Sequence, residues 1–172
     1  GPAGFKNVRF LALERERIER GEAGTAFIGD LPQVSGTTVF AALPANARLQ
    51  TGTPPAGMPA LLSTVWGGPT VRTWSVSIPD WTNGTRATVT GPTSVAIPTF
   101  TAAPTTAATP ANANDTLSPR LMMQSQYLRR PEGDSIVLTH TIANPAKTTV
   151  ATARWYQVGL SDGSAVRLLR MA

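Results

Sequence analysis

Proline and glycine recur so often along this chain that few regular elements have room to grow long. The 172 residues include 15 Gly and 15 Pro; proline breaks helix interiors and central strands, and glycine marks turns and bulges. The runs between these residues are short and alternate apolar with polar side chains, a period of two that predicts strands. Hydrophobic residues make up 41% and charged residues 15%. That is enough to bury a core, and with the many Thr and Ala residues it predicts an all-β chain rather than a helical bundle.

The runs fall in order. Asn7 to Leu13 alternates as a strand, Glu14 to Gly21 is a charged helical turn stopped by glycine, and Ala23 to Ile28 is a second strand. Thr37 to Leu43 is a third, followed by a turn-rich loop from Gln50 to Pro59. Leu61 to Trp66 and Val71 to Ile78 are strands separated by Gly67-Gly68-Pro69. In the latter, Trp74, Val76 and Ile78 share one face, and Thr73, Ser75 and Ser77 the other. After the turn signal Asn83-Gly84, Arg86 to Ile97 continues as a strand with a bulge expected at Gly91-Pro92.

Residues 99–116 (TFTAAPTTAATPANANDT) are poor in charge and aliphatics, rich in Ala, Thr and Pro, and read as an irregular connection. Beyond it, Arg120 to Leu128, Ser135 to Ile142, Thr149 to Val158 and Ala165 to Leu169 are four strands joined by three tight turns, an up-and-down meander. The expected organisation is therefore a strand–short helix–strand segment plus a first blade-like sheet over 3–98, the connection over 99–116, and a second blade-like sheet over 117–172. Gly1-Pro2 has the form left by a cleaved tag.

Several chemistries are disfavoured by residue type. The chain has no Cys and one His, so thiolate ligands, disulfides and multi-His metal sites are not expected, and neither is a cofactor. All basic residues except Lys6 and Lys147 are Arg, scattered from Arg9 to Arg170. Nucleic-acid recognition would gather them on one face with stacking aromatics, so none is expected. No apolar run approaches the ~20 residues of a membrane span. Glu14, Glu16, Glu19 and Glu22 alternate with Arg15, Arg17 and Arg20, which predicts a solvated mixed-charge face rather than a catalytic carboxylate cluster.

The runs Arg120-Leu121-Met122, Tyr127, Glu132, Ser135-Ile136-Val137, His140-Thr141 and Arg154-Trp155-Tyr156 resemble a recurring blade of secreted bacterial β-propeller-like proteins, loosely sialidase-like and mostly uncharacterised. Leu43-Pro44-Ala45, Thr53-Pro54-Pro55-Ala56-Gly57, Trp74, Trp81 and Thr90-Gly91-Pro92 resemble the blade before it, and Phe10 to Gly24 the segment before that. The resemblance implies four-stranded blades, an incomplete propeller and a secreted or cell-surface location. Those proteins continue beyond this blade, whereas here the chain stops at Arg170-Met171-Ala172. Because a propeller closes with at least ~4 blades, the implied partners are the remainder of a propeller or further copies of the chain.

The resemblance also nominates Arg72, Arg120 and Arg154 as an arginine cluster for a carboxylate, with Tyr127 or Tyr156 beside Glu132 as a nucleophile and base. No Asp-box repeat accompanies them, and no Gly-x-Ser-x-Gly elbow or phosphate-cradling glycine motif is present. His140 alternates with Ile136, Leu138 and Ile142, which places it in the core. Of the four tryptophans, Trp74 and Trp155 lie inside strands and are expected in the core. Trp81 follows Pro79-Asp80 at a strand end and is the aromatic expected to be available to a ligand, ahead of Trp66. The expected function is a non-catalytic structural or binding module presenting loops to a glycan or protein partner. A piece of a glycosidase-like enzyme is the alternative.

Overall fold

A computed structural model describes residues 7–34, 39–47, 54–65, 68–82, 87–107, 113–118, 120–122, 124–161 and 163–172. Gly1-Pro2, Trp66 and the Asn83-Gly84 turn lie outside them. The chain is all-β apart from one helical turn. A hairpin of β1 (Arg9–Leu13) and β2 (Ala26–Asp30) flanks α1 (Arg15–Glu19). Strands β3 (Leu43–Asn46), β4 (Ala60–Thr64), β5 (Thr70–Ser77) and β6 (Thr88–Ala96) follow. A small pair, β7 (Thr106–Ala107) and β8 (Ala113–Asn114), interrupts the connection. The chain ends with β9 (Ser125–Leu128), β10 (Ser135–Asn144), β11 (Lys147–Ser161) and β12 (Ser164–Met171).

The strands form two meanders, β3 to β6 and β9 to β12, each antiparallel throughout; the third strand runs over Leu43–Asn46, whereas residues 39–42 of the expected Thr37 to Leu43 are not strand. The meanders are not separate sheets. β3 pairs parallel with β9 through Ala45–Ser125 and Asn46–Gln126, and the Gln126 side-chain amide donates to the Asn46 carbonyl at 2.8 Å. The result is one eight-stranded sheet in the order β12-β11-β10-β9-β3-β4-β5-β6. It curls until its outer strands, β12 and β6, come into contact, making a nearly closed barrel. Ser75 Oγ reaches across to donate to the Gly163 carbonyl at 2.8 Å.

Strand alternation sorts the side chains. Leu61, Val71, Val95, Ile136, Leu138, Tyr156 and Val158 point into the barrel and form its core. On the outer face of the first meander, Leu62, Trp74 and Val76 form a second core with Phe10, Leu31 and Val39, roofed by the β1–β2 hairpin. Trp74 is fully buried, and its indole N–H donates to the Pro32 carbonyl at 3.0 Å. Gly29 gives the roof its close fit, because a Cβ there would stand 2.6 Å from the Phe10 ring.

Trp155 departs from expectation. It faces outward opposite Thr139 and is 36% exposed. The inward positions of β10 and β11 are taken by Ile136, Leu138 and His140 opposite Val158, Tyr156 and Arg154. Unlike the first meander, the second has no hairpin above its outer face among the described residues, and Trp155 is partly exposed.

The bulge expected at Gly91-Pro92 is present as a register shift between Thr73 and Ser75 against β6. Gly91 has φ 111°, and a Cβ there would lie 2.7 Å from the Thr73 carbonyl oxygen and 3.1 Å from the Trp74 Cα. Both obstacles are backbone and cannot swing aside. Gly91→Ala is expected to cost about 2 kcal/mol of unfolding free energy, measured by urea denaturation. An unchanged midpoint would show that the bulge relaxes freely.

The connection does more than link the two meanders. Ala102 bridges to Ile142, and the Ala143 N–H donates to the Thr101 carbonyl at 3.0 Å. Residues 98–103 therefore form a strap across one mouth of the barrel. Phe100 packs against the barrel core from there.

Candidate functional site

A largely apolar groove of about 360 Å³ runs along β1 over the outer face of the first meander. The exposed Pro44 and Ala60 and the half-buried Ile78 form its floor over the buried Leu62 and Val76, and Phe10 to Leu13 form one wall. Trp81 stands at its end. The turn after β5 places this ring, half-buried, with its centroid 5.5 Å from that of Phe27. Trp81 also borders the surface beside α1, shared with Glu14, Arg15, Glu16 and Glu19. It joins an apolar channel to a charged rim, the setting in which amphipathic rings serve as contact points.

The rim itself behaves as a solvated face. Arg15 and Glu19 pair at 2.6 Å, Arg17 and Glu22 at 3.2 Å, and Arg20 and Glu22 at 2.7 Å, all exposed. The Arg20 guanidinium hydrogen-bonded to Glu22 holds that carboxyl below its usual range. These charges satisfy one another and contribute little to stability.

The barrel mouth under the strap holds the one histidine. His140 is 1% exposed; its Nε2 lies 2.8 Å from the Tyr156 hydroxyl, and Phe100 meets the imidazole edge-on at 4.6 Å between centroids. Nδ1 has no hydrogen-bond partner. Burial, reinforced by the Arg154 charge, pushes the imidazole down to about 4. It is a neutral core histidine at neutral pH. Arg154 sits at the rim of the mouth, donating from Nη1 to the Thr99 carbonyl at 3.2 Å.

The structure does not gather the three nominated arginines. Arg72 is 9% exposed on the outer face of β5, opposite Thr64 and Ser94. Arg120 stacks over the Phe40 ring at 4.7 Å, before β9. Arg154 belongs to the mouth. Glu132 is exposed in a turn 3.7 Å from Arg130, whereas Tyr127 and Tyr156 are buried. The buried Tyr127 hydroxyl makes no hydrogen bond of ordinary geometry; burial, with Asp134 nearby, pushes it up to about 12. Tyr156 is engaged with His140. Among the described residues no cluster of His, Cys, Asp or Glu has the arrangement of a metal site.

The groove was only partly legible in the sequence. Trp81 could be singled out, but the floor under it depends on where the hairpin folds back. Nothing local in Arg9 to Leu13 tells which sheet that hairpin will cover.

No protein family, curated protein or solved structure matches the chain. No helix among the described residues is long and apolar enough to cross a membrane.

Proposed function

We propose that this chain is a non-catalytic binding module that recognises a protein partner through the groove ending at Trp81. The observation that carries the reading is the lining: every side chain bordering the groove is apolar. A sugar needs directed hydrogen bonds around its ring hydroxyls, whereas an apolar protein segment needs contact area and a rigid aromatic anchor. A protein partner is therefore favoured over a glycan.

The likeness to propeller blades enters the proposal at the level of strand order. Because β3 and β9 join the meanders into a single curled sheet, we place binding in this eight-stranded body itself. Copies that complete a ring are not required by the reading.

The test is a parallel screen of a short apolar peptide panel, a glycan array and fluorogenic glycosides. Peptide binding weakened at least ~10-fold by Trp81→Ala is expected, as for a central aromatic anchor. Glycan binding without peptide binding would replace the partner class. Turnover of a glycoside by the chain would overturn the non-catalytic reading.

A further inference from the structure

We infer that the groove takes its partner as an extended strand, hydrogen-bonded to the free edge of β1 through the backbone of Leu11 and Leu13. The inference rests on the groove being the binding site and specifies the mode of binding.

The hairpin register decides which backbone groups are available. The Leu31 N–H donates to the Val8 carbonyl at 2.9 Å, and the Glu14 N–H to the Thr25 carbonyl at 2.9 Å, at the two ends of the hairpin. Between them the pairing runs Phe10 with Gly29 and Ala12 with Phe27. In an antiparallel ladder hydrogen-bonded and non-hydrogen-bonded pairs alternate. Phe10 and Ala12 therefore turn their N–H and C=O groups towards β2, while Arg9, Leu11 and Leu13 turn theirs away. Among the described residues β1 has no strand on that second side. Leu11 and Leu13 are 61% and 50% exposed.

The groove lies on this side, because its lining includes Phe10 to Leu13 and no residue of β2. A strand laid beside β1 would thus meet two complementary features at once. Its backbone would find unpaired donors and acceptors, and alternate side chains would descend onto the exposed Pro44 and Ala60 and the half-buried Ile78. An unpaired, accessible edge over an apolar floor is a template for strand addition. The five residues of β1 fit a partner segment of similar length.

A second copy's β1 is a poor occupant. In antiparallel pairing its free edge brings the Phe10 and Ala12 face to this floor, and those side chains already pack in its own second core; parallel pairing would bring Leu11 and Leu13 instead, and a dimer of the protein alone in solution would overturn a foreign occupant. The occupant is a segment of another protein with apolar side chains at alternate positions and no proline where its N–H must face β1.

The probe is the peptide acetyl-Lys-Val-Thr-Val-Thr-Val-Lys-amide, with one version N-methylated at every valine and another at every threonine. Residues of one parity share an edge of the strand. Strand addition therefore predicts that one methylated version binds like the parent and the other at least ~10-fold more weakly. Hydrogen exchange at the Leu11 and Leu13 amides should slow when the parent peptide saturates. Leu11→Pro removes an N–H that β2 does not use, so the fold should persist and binding should fall. Leu11→Thr, which keeps the N–H, should bind more tightly than Leu11→Pro.

Equal behaviour of the two methylated peptides, or bound peptide with unprotected Leu11 and Leu13 amides, overturns strand addition. If that binding is still lost in Trp81→Ala, the groove reading survives without it. No saturable binding of the parent peptide overturns both.

Discussion

Trp74→Ala is expected to destabilise the protein by about 3–5 kcal/mol, the range for removing a large buried aromatic. Trp74 is fully buried between the sheet and the hairpin roof. Its removal leaves a void lined by Leu62, Val76 and Phe10, and leaves the Pro32 carbonyl without its 3.0 Å donor. That carbonyl belongs to the segment leading out of β2, so the loss bears on how the hairpin is held down. An isolated two-stranded hairpin is marginal in water and depends on such packing. Urea unfolding measures the total. Trp74→Phe separates the contributions, since it retains most of the ring but not the N–H, and should cost roughly 1–3 kcal/mol. A Trp74→Ala midpoint within error of the parent would mean that the roof does not hold the first meander.

Strand positions were largely written locally, whereas the pairing of distant strands was not. Gly91-Pro92 announces a bulge because the positive φ and close backbone contact need glycine, and both features act within one hairpin. The glycine stop at Gly21, at φ 74°, and the period-two burial of Ile136, Leu138, His140 and Ile142 are of the same kind. The seam between β3 and β9 joins residues 80 apart (Asn46 with Gln126). Four-residue strands with mixed polarity carry no mark of such a partner. Trp155 shows the limit most clearly. Its strand alternates as a core strand should, but whether its outward face is roofed depends on a hairpin near the other end of the chain. For Trp81 the local turn chemistry pointed to an available ring, while the apolar floor beside it arises from the same long-range packing.

The buried imidazole at the barrel mouth should make stability fall on mild acidification. The groups facing His140 are Arg154 and Tyr156 from β11, Phe100 from the strap, and Leu121, which bridges to it from the segment before β9. None is acidic, so nothing there compensates a proton, and burial and Arg154 hold the folded pKa at about 4 against the ordinary 6.5. The unfolded chain takes up a proton as pH drops below that ordinary value; the folded chain resists until about 4. The contribution of His140 is therefore fully present above the unfolded pKa and is lost progressively through this window. The slope is about 1.4 kcal/mol per pH unit, with a total of roughly 3.5 kcal/mol over the whole window. Glu22 and Asp30, held low by Arg20 and Arg9, are exposed and lose their pairing at lower pH. His140→Gln keeps a side-chain amide within reach of the Tyr156 hydroxyl but cannot titrate, so its stability should stay flat across the same window. Urea denaturation of both proteins from neutral pH down to about 4 reads the difference directly. Parallel pH curves would show that the proton is accommodated in the folded mouth, whereas a slope confined to the parent would identify His140 as the group whose burial sets the acid limit of the barrel.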